Sequence, residues 1–313
     1  MDLYHIPGDN GINTRRNDVL KLLQPENGYI DGATDYCLLI PYADEIRHLP
    51  IENRFWLAYL YALSYSGTTA IQMFEAFPEL DTVQPKALRK FWDANKSQLW
   101  FNPDKKYIKN NDQVVPAIKS LYQQSQGKLI PYMQKHLKQG MDHMYREITQ
   151  AWKYFGPHGA YLFFDAIYGL CPAYYTDPSG IDWVHCGKTV PEGMAHMLYL
   201  DEVIAEKQQH DYVRYDKLVQ KLMQKSHQPM VIVESTLCAY RKFFKCTRYH
   251  GYYADRMLKE CESTATSLQH LGIDVWKLRK QSIPKYLRGE SNGWKGIRSE
   301  LLNRYVTTGE LNG

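Results

Sequence analysis

A chain of 313 residues with 44% hydrophobic and 23% charged residues is ordinary for a globular protein and long enough to bury a core as one large domain or two moderate ones. No stretch approaches the roughly 18 apolar residues that span a bilayer, the opening MDLYHIPGDNGINTRR lacks the basic-then-apolar order of a secretory signal, and the six scattered cysteines contain no CxxC pair. No membrane span or export signal is therefore expected, the cysteines fit reduced, buried thiols better than a disulfide framework, the cytoplasm is the expected compartment, and the net charge of only +4 says little until its distribution is examined.

Residues 1–48 are predicted as a loop-rich segment, interrupted by Gly8, Gly11, Gly28, Gly32, Pro7, Pro25 and Pro41. A long helix follows from Pro50, where a proline at the first turn loses no hydrogen bond, and Gly67 is expected to close it. TTAIQMFEAF reads as the next helix, stopped by Pro78, and Pro85 opens another. From Asp112 to about Phe155 the pattern is helical, with breaks expected near Gly127 and Pro131. GPHGAYLFFDAIYGL is a short apolar helix, followed by the long irregular segment CPAYYTDPSGIDWVHCGKTVPEG. Irregular stretches of that length inside a helical protein are usually functional. MAHMLYLDEVIAEK and YDKLVQKLMQ resume the helical pattern. PMVIVESTLCAYRKFF is ambiguous: MVIV fits a strand, whereas Glu234, Leu237, Tyr240, Arg241 and Phe244 have helical spacing. The expected fold class is all-α, as one compact unit or two helical lobes around a cleft, with a lobe boundary near 125–156.

Charge is concentrated late in the chain. Between Ala239 and Arg298 thirteen Lys or Arg stand against five Asp or Glu, so that window carries about +8 and the rest about −4. A local basic excess in a near-neutral protein points to an anionic partner, with a solvated helical face as the plain alternative. Tyrosine is abundant, 25 against 10 Phe. It suits both base stacking and half-buried packing.

Several familiar motifs fail. GIDWVHCGKT ends like a phosphate-binding loop, but six residues rather than four separate Gly180 from Gly187, and they include the bulky Trp183. His185–Cys186 and Cys246–His250 do not make a zinc set. HExxH, GxSxG and GxGxxG are absent.

Three stretches taken together resemble one family: ENRFWLAYLYALSYSGTTAIQMFEAFPEL (52–80), GAYLFFDAIYGL with GIDWVHCGKTVPEGMAHMLYLDE (159–202), and ESTLCAYRKFFKCTRYHGYYADRM (234–257). In content and order they are similar to the amino acid:DNA transferases, or α-glutamyl/putrescinyl-thymine pyrophosphorylases, mainly bacteriophage enzymes of thymidine hypermodification. The third stretch is the most specific. The first also resembles the opening helices of helix–hairpin–helix DNA glycosylases. The resemblance implies a glycosylase-like helical fold with a catalytic domain over 49–262 and a basic helical extension over 263–313. It also implies a reaction: the pyrophosphate on 5-hydroxymethyl-uracil in DNA is replaced by an amine, an amino acid or putrescine. Such a base is easiest to work on when flipped out of the duplex. No LPGVG-like hairpin followed by a glycosylase-type Lys or Asp is found, so base excision is not supported. The rival classes are a non-catalytic DNA-binding protein and a DNA glycosylase or lyase.

That reaction needs cations for the departing pyrophosphate, a carboxylate for the incoming amine and an aromatic surface for the base. The catalytic candidates are Glu234, Asp182 and Arg241. Lys188, Tyr240, Lys242, Arg248, Tyr249, Arg256, Arg279, Lys280 and Arg288 are candidates for pyrophosphate or DNA. Lys188 precedes a Pro-Glu-Gly helix start, where free N–H groups favour an anion. Trp183, Tyr252 and Tyr253 are candidates for the base. Structural alternatives stand beside each: an Arg–Glu pair for Glu234, a turn or N-cap for Asp182, core packing for one of the tyrosines, and plain backbone-phosphate contact for the basic cluster. Arg54 is a candidate cleft residue, and Trp56 and Leu60 are expected in the core. The expected partners are DNA carrying modified thymine and a small amine, with no membrane, cofactor or metal.

Overall fold

The computed structural model describes residues 48–101, 112–198 and 210–244, together with Arg16, Val19, Leu20, Leu23 and Ile46. The described chain is all-α. Ten α-helices follow one another: α1 (Ile51–Ser64), α2 (Gly67–Ala76), α3 (Pro85–Asn95), α4 (Val114–Ser125), α5 (Leu129–Leu137), α6 (Met141–Ala151), α7 (Pro157–Leu170), α8 (Thr189–Met197), α9 (Tyr212–Ser226) and α10 (Met230–Phe244). Short 3-10 turns occupy Leu80–Thr82 and Pro172–Tyr174. None of the described helices is long and apolar enough to cross a membrane. The helices fall into two compact units: α1–α7 belong to one, which includes Ser179, and α8–α10 to the other, which begins at Gly180 in this part of the chain. Residues 125–156, where the sequence suggests a lobe boundary, lie inside the first of these.

In the unit of α1–α7, α1 is the central helix. Every residue from Phe55 to Ser64 is buried, as expected for a helix apolar on nearly all faces. It packs on α7, which is buried almost as completely. Tyr59 meets Trp152 and Phe155, each with ring centroids 5.1 Å away. Trp56 and Leu60 lie in this core. Arg54 is held at the far end of α7, where its Nη1 donates to the Leu170 carbonyl at 2.8 Å. A cation at a helix C-terminus satisfies an orphan carbonyl and complements the helix dipole.

Three local expectations change. Gly67 does not close α1. The helix ends at Ser64, Tyr65 takes the left-handed conformation (φ 54°), and the Ser66 side chain accepts from the Thr69 amide to start α2 at Gly67. Pro131 does not break a helix, because it is the third residue of α5, within the first turn, where no intrahelical N–H bond is lost. The first amide of α5, that of Leu129, donates to Glu52 Oε1 at 2.7 Å. The second break falls instead at Gly140, with φ 88°. Finally, MVIV is helical, as the first turn of α10.

Candidate active site

In the unit of α8–α10, the dominant contact is between α8 and α10. The two helices touch at Gly193. A Cβ built there would lie 2.0 Å from the carbonyl oxygen of Leu237, so only glycine permits this approach. Two polar contacts flank it. The Cys238 thiol donates to Thr189 Oγ1 at 3.1 Å, and Arg241 Nε donates to Glu192 Oε2 at 2.7 Å. Both pairs join residues 49 positions apart in the sequence.

The Arg241–Glu192 pair is well shielded, with side chains 16% and 8% exposed. A buried pair of this kind is costly to break, because the surviving charge has no solvent to receive it. About two turns back along α10, Glu234 is 6% exposed and makes no hydrogen bond or ion pair among the described residues. Burial pushes its carboxyl up to about 8, with the charge of Lys242 pulling the other way. A carboxyl balanced near neutral pH can exchange a proton with a reacting group, which an ordinary surface glutamate does poorly.

The segment leading into α8 brings the other polar groups to this unit. Asp182 closes a tight turn: its carboxylate accepts from the His185 amide at 3.1 Å and lies 2.9 Å from His185 Nδ1. The Cys186 thiol is buried, and its pKa is pushed up by that burial first and then by Glu234, Cys238 and Asp182. The same thiol therefore feels both candidate carboxylates. Trp183 is 4% exposed, donates from Nε1 to Asp216 Oδ1 at 2.6 Å, and lies parallel to Tyr212 with centroids 6.1 Å apart. His210 continues this aromatic group, with Nδ1 2.9 Å from the Tyr215 hydroxyl. Burial lowers its pKa, and Glu192 acts in the opposite direction. Lys188 is exposed immediately before α8, and Gly187 turns there with φ 90°.

The structure thus gathers Glu234, Tyr240, Arg241 and Lys242 on α10, with Asp182, Trp183 and Lys188 in the segment entering α8. Tyr240 is buried and Lys242 half-buried. Arg248, Tyr249, Tyr252, Tyr253, Arg256, Arg279, Lys280 and Arg288 lie outside the described residues. The Arg–Glu pair envisaged for Glu234 forms with Glu192 instead. Glu192, His210 and Asp216 were not singled out from sequence. For Glu192 the signal was present: a lone acid inside TVPEGMAHM, a helix with no polar face to hold it.

No curated protein and no solved structure matches this chain. The family model for amino acid:DNA transferase matches residues 38–249. That span takes in all ten described helices, both polar contacts between α8 and α10, and every candidate residue from Asp182 to Lys242. The chain belongs to the amino acid:DNA transferase family, whose name denotes a transferase acting on DNA.

Proposed function

We propose that the protein transfers an amine onto a pyrophosphorylated 5-hydroxymethyl-uracil base in DNA, releasing pyrophosphate. In this reaction the amine nitrogen forms a bond to the exocyclic methylene carbon. The bond from that carbon to the pyrophosphate oxygen breaks, the electron pair leaves with pyrophosphate, and one proton leaves the nitrogen. The observation that carries the reading is Glu234, a buried carboxyl balanced near pH 8 on the helix that also holds Arg241.

Each residue then has a physical task. Glu234 accepts the proton released by the attacking nitrogen, and its ionised fraction rises as pH approaches its pKa. Arg241 faces the developing charge on pyrophosphate. Glu192 holds Nε, which leaves the terminal guanidinium nitrogens to serve the leaving group. Glu192 is a positioning residue in this scheme. Asp182 has its carboxylate committed to the His185 turn and shapes the entry to α8. Lys188 and Lys242 add positive charge for phosphate, and the basic window from Ala239 to Arg298 is proposed to track the DNA backbone.

The test is mass spectrometry of nucleosides after incubating pyrophosphorylated hydroxymethyl-uracil DNA with candidate amines. The expected result is an amine-substituted thymidine. Release of free base would identify a glycosylase, and unchanged nucleosides a DNA-binding protein without this activity.

A further inference from the structure

The unit of α1–α7 carries a second basic feature, far in sequence from the C-terminal window. A groove of about 530 Å³ is lined by Arg89 of α3, by Lys119, Ser120 and Gln123 of α4, and by Lys153 just after α6. Its lining includes three cations and no acid. Pro85 and Pro116 stand at the opening turns of α3 and α4, where they supply no N–H, so an anion here would be held by side chains.

The cations are available. Lys119 and Lys153 are exposed and make no ion pair among the described residues. Arg89 approaches Asp93 at 3.8 Å, with both side chains about half exposed (42% and 53%), a pairing of small energetic consequence. The two acids near Arg89 are shared with Lys96: Asp93 also reaches it at 3.8 Å, and Asp112, which feels the charge of Arg89, accepts from Trp92 Nε1 and approaches Lys96 at 3.5 Å. Tyr154, which follows the groove residue Lys153 in the chain, is 43% exposed, and the Lys153 ammonium sits 5.5 Å from its ring centre. Tyr154 also has φ 66°, a backbone state that bulky residues seldom adopt. Two exposed lysines without an ion pair and a weakly paired arginine, close to an exposed aromatic ring, make a combination that tracks a nucleic-acid strand, by phosphate contact and base stacking.

We propose that this groove seats the phosphodiester backbone of the DNA substrate, with Lys119, Lys153 and Arg89 as the phosphate contacts and Tyr154 as a flanking stacking surface. The inference rests on DNA being the substrate, and it adds a contact region in the unit that does not contain Glu234 and Arg241.

The experiment is fluorescence anisotropy of a labelled oligonucleotide across a salt series, on the full chain and on the Lys119→Glu/Lys153→Glu double variant. Both positions are exposed, and thermal unfolding of the variant checks the fold. The double variant should bind at least about tenfold more weakly at moderate salt, and the slope of log affinity against log salt should fall by about two, one per lost phosphate contact. The KM for DNA should rise in the same variant. Inorganic phosphate at matched ionic strength should displace DNA no better than chloride. Saturable competition by phosphate that the parent shows and the double variant loses would mark a small-anion pocket in the groove and overturn the backbone assignment. A parent chain that binds DNA, with a folded variant of equal affinity and slope, would overturn the groove alone. A parent chain that binds no DNA even at low salt would overturn the groove and the transferase reading together.

Discussion

Arg241 and Glu192 meet at 2.7 Å across the α8–α10 contact, and they join the helix that carries Glu234 to the helix entered through Asp182. The pair is both a structural tie and the support for a guanidinium that would face pyrophosphate. Its two roles can be separated. Glu192→Ala leaves a shielded guanidinium without its carboxylate, and a loss of about 3–5 kcal/mol of stability is expected. Glu192→Gln keeps a hydrogen-bond acceptor at the same place. It should fold, retain DNA affinity, and lose kcat with little change in KM, as measured by steady-state kinetics and thermal unfolding. Equal falls in DNA affinity and rate would instead make Arg241 a docking residue.

Gly193 sets the distance across which this pair forms. An added Cβ would collide with the Leu237 carbonyl oxygen, a backbone atom that cannot rotate away. Gly193→Ala should cost about 1–3 kcal/mol or more by forcing α8 and α10 apart. It should also lower turnover beyond what the stability loss explains, because Glu192 and Arg241 separate. Urea denaturation and turnover well below the unfolding temperature check this. A fully stable, fully active alanine variant would contradict the close contact.

Glu234 makes stability depend on pH with a definite sign. Its carboxyl ionises near 8 in the folded chain, well above an ordinary glutamate. As pH rises from the ordinary glutamate range toward 8, the unfolded chain has already lost this proton and the folded chain has not. The folded state binds more protons there, so this group's contribution to stability falls with rising pH and levels off above about 8. Glu234→Gln should remove that decline, so the variant is more stable than the parent on the alkaline side and similar to it in mild acid. Unfolding midpoints of both chains across pH test this, and a parallel pair of curves would contradict a buried, weakly acidic Glu234.

Trp183 offers a sharper division between packing and base recognition. Its indole N–H is already bonded to Asp216 at 2.6 Å and its ring already lies parallel to Tyr212. Trp183→Phe should lose about 1–2 kcal/mol from the missing hydrogen bond, since Asp216 is only half-buried. DNA affinity should be unchanged. A loss of DNA affinity in a stable variant would return Trp183 to the base-binding role.

The helices were largely legible in sequence, because apolar spacing and proline positions act locally. The exceptions have local reasons too. MVIV carries the β-branched residues of a strand, yet it is buried as the first turn of α10, continuous with the helical spacing that follows. Pro131 reads as a breaker until the helix start at Leu129 is known, since one residue type serves both purposes. The site was legible in composition more than in geometry. Glu234 and Arg241 stood out by residue type, but the partner of Arg241 lies 49 residues away, and the α8–α10 contact, close at Gly193, brings the two together. For Asp182 the sequence leaves a catalytic acid and a turn residue as alternatives, and the turn with His185 that the structure shows depends on backbone angles that spacing does not reveal.

The most direct measurement is the balance between product and leaving group. With isotopically labelled amine and pyrophosphorylated hydroxymethyl-uracil DNA, label incorporated into the base and pyrophosphate released should appear one for one. Both should depend on the amine, both should climb as pH approaches 8, and Glu234→Gln should depress both together at neutral pH, with partial recovery at higher pH as free amine becomes abundant. Pyrophosphate released without amine, or a Glu234→Gln chain that incorporates label at the parent rate across pH, would contradict amine transfer through Glu234.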